Sequence, residues 1–169
     1  MPRYKLTIEY DGTPYHGWQR QDEFPSVQQA LEEAMAEFAR HPVTLFAAGR
    51  TDTGVHARGQ VAHADLEAEW PTYKICEATN GLLKLAGQPV AVLACEKAAD
   101  DFDARFSARR RHYRYLILNR PANPTVDTGR LWHVKKPLDI GAMDKAAKVL
   151  VGHYDFTTFR STDCQAKNP

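Results

Sequence analysis

The sequence predicts an α+β fold with a mainly antiparallel sheet, whose first 100 residues run in the order β-α-β-β-α-β. Two periodicities indicate this class. Residues 4–10 alternate apolar and polar side chains, as a half-buried strand does, and residues 27–38 carry apolar side chains at helical spacing. Short β-type runs on either side of glycine-containing loops supply the further strands.

Local signals place each element in turn. Ser26 is the expected N-cap of the first helix, and Pro42 is expected to end it. The next predicted elements are strands at 43–47 and 60–65, a helix at 72–85 and a strand at 90–95. This order is the ferredoxin-like or RRM-like arrangement. After an irregular segment at 100–110, the sequence predicts strands at 112–118 and 131–134 and a helix from Asp139 to about Leu150.

Composition fits a globular, cytoplasmic protein. The chain carries a net charge of +1. Its 169 residues are 43% hydrophobic, which is enough apolar content for a core in one large or two small domains. No run is long and apolar enough to cross a bilayer, so we expect no membrane partner. The three cysteines lack the spacing of a zinc site and are expected to be reduced thiols.

The most specific motif is A-G-R-T-D-T-G-V-H-A at positions 48–57, between two predicted strands. Rigid scaffolds present chemistry on such loops, and Asp52 lies at its centre. Arg50 would favour the ionised carboxylate if the two side chains meet, and an ionised carboxylate is a nucleophile or a base. The alternative is that Asp52 only forms an Asx turn.

A short segment combines cations with aromatic rings. Its members are Arg105, Arg109, Arg110, Arg111, Arg114 and Arg120, with Phe106, Tyr113 and Tyr115 among them. Phosphates require cations and unstacked bases require aromatic faces, so the segment is typical of RNA binding. The alternative is a solvated basic strand edge, with Tyr113 as an ordinary core residue.

The motif G-R-T-D-T-G-V-H-A resembles that of tRNA pseudouridine synthases of the TruA type. Further matches in family order are Y-H-G-W-Q-R-Q at 15–21, Q-V-A-H at 60–63, D-F-D-A-R-F-S-A at 101–108, R-H-Y-R-Y at 111–115 and D-F-T-T-F-R at 155–160. Thr53 departs from the alanine that is common in the family.

The resemblance implies an enzyme that isomerises uridine to pseudouridine at positions 38–40 in the anticodon stem-loop of tRNA, without a cofactor. Asp52 would be the catalyst, Arg50 would position its surroundings and Tyr113 would pack against the flipped-out base. The possible RNA contacts are Arg58, Arg105, Arg109, Arg110 and Arg111.

The resemblance also implies a domain organisation. Residues 1–100 would form an N-terminal ferredoxin-like subdomain that carries the catalytic loop, and residues 101–169 would begin a second, related subdomain. Family members continue beyond this point and are typically homodimers, so we expect the chain to be a truncated form of a longer enzyme and its second subdomain to be incomplete.

Three other interpretations remain at this stage. The chain could be an inactive RNA-binding fragment of such an enzyme. The triplet Asp52-Thr53-Gly54 also occurs in aspartic protease half-sites, although the neighbouring Arg50 would oppose a shared proton there. A metal site at Asp52, His56 and His63 fits no common ligand spacing, so we expect none.

Overall fold

The computed structural model describes residues 1–159 of the chain. It divides into two compact units, residues 1–114 and the part from Tyr115 onwards. The first unit therefore includes residues 101–114, which the sequence analysis assigns to the second subdomain. Arg3 holds the start of that segment by donating hydrogen bonds to the backbone oxygens of Asp100 and Phe102. The last residue of the motif at 155–160 and Cys164 lie outside the described residues.

The first unit is a four-stranded sheet with two helices. Its elements are β1 (Arg3–Tyr10), α1 (Val27–Ala39), β2 (Phe46–Ala47), β3 (Ala57–Asp65), α2 (Thr72–Leu85) and β4 (Val90–Ala98). The strands lie in the order β2-β3-β1-β4, and every neighbouring pair is antiparallel. The predicted α+β class with a mainly antiparallel sheet is confirmed.

The alternation in β1 separates a core face from a second face. Every second residue from Tyr4 to Tyr10 is buried, and these side chains form one apolar cluster with the buried residues of the other strands and of both helices. Tyr15 and Trp18 belong to the same cluster, with 2% and 1% of their surface exposed. Both aromatic rings therefore pack in the core.

The helix boundaries follow the local signals closely. Ser26 is the N-cap of α1, where its hydroxyl accepts a hydrogen bond from the Gln29 amide at 3.2 Å. The helix ends at Ala39, three residues before Pro42, because Arg40 adopts a left-handed conformation and terminates it. Helix α2 has the predicted bounds.

Strand β2 is shorter than the predicted strand at 43–47. Only Phe46 and Ala47 pair with β3. The backbone groups of Leu45 bind the side chains of α1 instead: its amide donates to Glu32 at 3.0 Å, and its carbonyl accepts from Gln28 at 3.1 Å. Those backbone groups are satisfied outside a strand ladder, so the strand begins later.

The described part of the second unit contains β5 (Ile117–Asn119), β6 (Trp132–Val134), α3 (Ile140–Val149) and a short 3₁₀ turn (Thr157–Phe159). Strands β5 and β6 pair in parallel. Asp139 caps α3 as predicted, accepting from the Ala142 amide at 2.9 Å. Only the end of the strand predicted at 112–118 is paired, because β6 pairs with Ile117–Asn119 alone.

Two further observations concern the cysteines and the length of the helices. Cys76 and Cys95 form no disulfide among the described residues. Across residues 1–159, none of the helices combines the length and the apolar character that crossing a bilayer requires.

Candidate active site

Asp52 lies at the tip of the loop 48–56, which joins β2 to β3. The Asp52 carbonyl accepts a hydrogen bond from the Val55 amide at 3.1 Å, which closes a tight turn. Gly54 is the third residue of that turn and has a φ of 75°, a value that suits glycine at this position. The turn presents the Asp52 side chain to solvent.

The Asp52 carboxylate is free to meet a ligand. Within residues 1–159 it accepts no hydrogen bond and forms no ion pair, including none with Arg50, which is also exposed. An Asx turn would occupy the carboxylate with the amide two residues on. That amide, of Gly54, donates to the Tyr15 carbonyl at 3.2 Å instead. The Asp52 side chain thus has no structural task of its own among the described residues.

Residues 12–18 support the loop through close backbone contacts. The Trp18 amide donates to the Thr51 carbonyl at 2.9 Å. A Cβ atom on Gly17, whose φ is 92°, would lie 2.5 Å from that same carbonyl oxygen, and one on Gly12 would lie 2.1 Å from the Val55 oxygen. Glycine at both positions is therefore what allows the two segments to approach.

Two side chains from the sheet bind the first half of the loop. The Tyr10 hydroxyl lies 2.8 Å from the Thr51 hydroxyl, and the Gln60 side-chain amide donates to the Gly49 carbonyl. Burial raises the pKa of Tyr10, so this hydroxyl keeps its proton and its hydrogen bond at neutral pH. No such role was predicted for Tyr10 or Gln60, because strand periodicity does not indicate which loop a strand residue contacts.

Arg111 holds the start of the loop. Its Nε and Nη2 atoms lie 3.0 and 2.6 Å from the Ala48 carbonyl oxygen, and Nη2 also lies 3.2 Å from the carbonyl oxygen of Arg105. The guanidinium therefore connects the basic segment to the first residue of the loop.

His56 fixes the end of the loop. Its Nδ1 atom accepts a hydrogen bond from the Gly12 amide at 3.0 Å and lies 3.1 Å from a carboxylate oxygen of Asp11. The Asp11 carboxylate in turn accepts from the Thr13 hydroxyl at 2.6 Å. These contacts give His56 a structural role.

A polar network joins α1 to Arg20. The Arg20 amide donates to the Gln28 side chain at 2.9 Å, and the Gln28 side-chain amide donates to Glu32 at 2.9 Å. Glu32, which is 6% exposed, also pairs with the Arg20 guanidinium. The Gln28 backbone amide donates to the Trp18 carbonyl at 3.0 Å, which joins α1 to the segment that supports the loop.

Tyr113 belongs to the same unit as the loop and is 68% exposed, so it is not a core residue. Its charge is the smallest of the causes that raise the pKa of Tyr10, whose hydroxyl binds Thr51, the neighbour of Asp52.

The remaining predicted site residues lie on the surface of the first unit. Arg58, Arg105, Arg109 and Arg110 are all exposed. The Arg105 guanidinium lies 5.8 Å from the centre of the Phe106 ring, a cation–π arrangement. Among residues 1–159, no three histidine, cysteine or acidic side chains are arranged to hold a metal ion.

The first unit is an antiparallel α+β domain that presents the exposed Asp52 carboxylate on a supported loop and carries exposed arginines on its surface. A sequence profile described as tRNA pseudouridine synthase matches residues 6–107, a range that includes the loop. The chain belongs to the tRNA pseudouridine synthase family. The Asp52-Thr53-Gly54 triplet is part of that match, which removes the argument for a protease half-site.

Curated relatives match the whole chain. It is 57% identical to proteins named tRNA pseudouridine synthase A from Allorhizobium ampelinum and Rhizobium meliloti, and 56% identical to the one from Brucella ovis. The alignments span all 169 residues and cover 65%, 68% and 67% of these relatives, respectively. The chain thus spans about two thirds of the length of the curated relatives it matches.

Proposed function

We propose that this protein isomerises uridine to pseudouridine at positions 38–40 in the anticodon stem-loop of tRNA, with Asp52 as its catalyst and without a cofactor. The observation that carries the proposal is the exposed Asp52 carboxylate, which has no partner within residues 1–159 on a loop held by contacts from residues 10–18, Gln60 and Arg111. A reactive group held in one place saves the entropy of orienting it during the reaction.

The proposed chemistry needs no second substrate. The bond between ribose C1′ and uracil N1 breaks, the uracil turns, and C5 bonds to C1′. The proton on C5 is lost and N1 gains one, so the product is an isomer of the substrate. Asp52 can serve as a nucleophile towards the ribose or the base, or as the base that removes a ribose proton, and each role needs the ionised carboxylate.

Tyr113 is the proposed partner of the extruded base. A stacked uridine must be flipped out before its glycosidic bond can be reached, at a cost of a few kcal/mol. The exposed phenol ring of Tyr113 can offset part of this cost by stacking on the uracil face. Arg50, exposed on the same loop, is proposed to position the substrate around Asp52.

The proposed RNA contacts are Arg58, Arg105, Arg109 and Arg110, whose exposed side chains can neutralise backbone phosphates. Arg111 was predicted with them, and its guanidinium also binds two backbone carbonyls through Nε and Nη2. The proposal further includes a cytoplasmic location and a homodimer for the full-length form, as the family resemblance implies.

The test is release of tritium from C5 of uridine in unmodified tRNA. The unsubstituted chain should release it, and Asp52→Asn, which keeps the shape of the side chain, should lower the rate by at least about a thousandfold. Asp22→Asn removes another exposed carboxylate and should leave the rate unchanged. Equal rates for the Asp52→Asn variant and the unsubstituted chain would refute the role of Asp52.

The inactive RNA-binding fragment is distinguished by the same experiment. In that case the unsubstituted chain would bind the tRNA but release no tritium, while a form extended to the full length of the relatives would release it. If neither form released tritium, the proposed activity would be rejected.

A further inference from the structure

We infer that Arg111 is a positioning residue: it holds the Asp52 loop against the basic segment through two backbone carbonyls and is not a phosphate contact. The inference rests on the proposed function, because it assigns Arg111 a part in placing the proposed catalyst.

Strand β2 ends immediately before the loop. The ladder between β2 and β3 stops at Ala47, although the Ala48 amide still donates to the Val61 carbonyl at 2.8 Å. The Ala48 carbonyl marks the point where the chain leaves the sheet and enters the loop. Two N–H groups of the Arg111 guanidinium bind that carbonyl, at 3.0 and 2.6 Å.

The guanidinium also covers the next residue. A Cβ atom placed on Gly49 would lie 3.5 Å from Arg111 Nε, so the guanidinium packs directly against the Gly49 backbone. The Gly49 carbonyl is bound from the other side by Gln60. Residues 48 and 49 are thus held by two side chains from distant parts of the chain, immediately before Arg50 and Asp52.

The second contact extends the link to the basic segment. Nη2 of Arg111 donates to the Arg105 carbonyl at 3.2 Å, so one guanidinium bridges the loop and the turn that carries the Arg105 side chain. A planar fork of N–H groups suits such a bridge, whereas the single ammonium of lysine cannot reproduce its geometry. Lysine does retain the positive charge, and this separates positioning from phosphate binding.

The primary test compares Arg111→Lys with Arg40→Lys. Arg40 is an exposed arginine with no proposed part in RNA binding or catalysis, and its side chain forms no hydrogen bond within residues 1–159. Single-turnover tritium release with saturating protein measures the chemical step, and filter binding of the same tRNA measures the Kd. Arg111→Lys should slow release by about tenfold to a hundredfold with a Kd within about twofold of the original, since small misplacements of a catalytic group cost rates of this order. Arg40→Lys should change neither quantity.

Salt dependence supplies the second arm. Replacing an arginine that binds phosphate reduces the slope of log Kd against log salt concentration by about one. Arg111→Gln should leave this slope unchanged, and Arg110→Gln should reduce it. A reduced slope for Arg111→Gln, or an Arg111→Lys variant that releases tritium at the original rate, would overturn the inference.

Amide hydrogen exchange tests the inference without any catalysis. Arg111→Lys should speed exchange in peptides that cover residues 46–56, with unchanged exchange in β1, while Arg40→Lys should leave both unchanged. If the unsubstituted chain releases no tritium, the proposed function fails for this chain, and the exchange result alone decides whether Arg111 holds the loop. Unaltered loop exchange in Arg111→Lys would reject that role.

Discussion

At the scale of single residues, the site depends on how closely the backbone of residues 12–18 approaches the loop 48–56. Gly17 has a left-handed φ of 92° and lies against the Thr51 carbonyl, one residue before Asp52. An alanine there would be strained by its φ and would place its Cβ 2.5 Å from that oxygen. The two segments would have to separate, which would move the loop that carries Asp52.

We therefore expect Gly17→Ala to lower the free energy of unfolding by about 1–3 kcal/mol, the range for a residue forced into an unfavourable backbone conformation. Urea denaturation measures this loss. Gly59→Ala is the matched control, because a Cβ at Gly59 has no heavy atom within 4 Å, and its effect should stay within about 1 kcal/mol. Equal stability of both variants would contradict the close approach.

His63 makes stability depend on pH. It is 3% exposed, its ring stacks on Phe46, and its Nδ1 accepts from the Ala104 amide at 3.1 Å. Burial lowers the pKa of His63, and the charge of Arg3 lowers it further, while two carboxylates oppose the shift. A protonated Nδ1 could not accept the Ala104 hydrogen bond.

Because the pKa of His63 is lower in the folded state, the unfolded chain binds the proton more readily. The stabilisation is complete above the unfolded pKa of about 6.5 and is lost progressively as the pH falls below it towards the folded value. We expect urea titrations between about pH 7.5 and pH 5 to show this loss, and His63→Asn to reduce it. His112→Asn alters an exposed histidine and should leave the pH dependence unchanged; the same pH dependence in His63→Asn would contradict the assignment to His63.

At the scale of elements, Asn80 joins α2 to the edge of the sheet. Strand β4 is an edge strand, and its Val92 amide and carbonyl bind the Asn80 side chain at 2.7 and 2.9 Å. The register of β4 against β1 shifts close by, between Thr7 and Ile8. The Asn80 side chain thus satisfies backbone groups that a neighbouring strand would otherwise bind.

Asn80→Leu should lower the free energy of unfolding by about 1–3 kcal/mol, since it leaves both Val92 groups without a partner. The adjacent Thr79 supplies a contrasting variant: it is fully buried, and its hydroxyl has no hydrogen-bond partner within the described residues. Thr79→Val keeps the shape and should be neutral or stabilise by up to about 1 kcal/mol. Thermal and urea unfolding measure both changes, and a loss of stability in Thr79→Val similar to that in Asn80→Leu would contradict this account.

The elements also show what sequence periodicity predicts and what it does not. Helices α1 and α2 follow from apolar spacing and from signals within a few residues, such as the Ser26 cap. The lengths of β2 and β5 depend on which distant groups bind their backbones, and apolar alternation contains no such information. The exposed position of Asp52 was predicted for the same local reason, since a glycine-containing loop follows a strand.

The contacts that hold the loop were beyond reach of local patterns. Tyr10 is 41 residues from Thr51, and Arg111 is 63 residues from Ala48. Arg111 was predicted as an RNA contact because a run of arginines indicates charge, whereas its position against the Ala48 carbonyl is a property of the fold. The sequence shows that Arg111 is charged, but it does not show which groups the guanidinium contacts in the fold.

At the scale of the whole molecule, burial is distributed unevenly along the chain. Nearly all of the core lies in residues 4–92, and helix α3 of the second unit has no buried residue. Ile140 and Met143 are 77% and 42% exposed, and with Leu150 they follow a helical spacing that forms an apolar stripe. Isolated helices of this length are marginal in water, so a contact that covers this stripe would stabilise α3.

We expect this stripe to cause self-association that depends on concentration. Light scattering should show an apparent mass above that of the monomer as the protein concentration rises, because contact between copies removes exposed apolar surface from water. Ile140→Lys should weaken the association constant by about tenfold or more, the effect of losing one buried aliphatic side chain. Val126→Lys is the matched control: it adds the same charge at a position that is 93% exposed and lies outside α3, and it should leave the association unchanged. A constant monomer mass at every concentration, or equal effects of the two substitutions, would contradict a role for the α3 stripe.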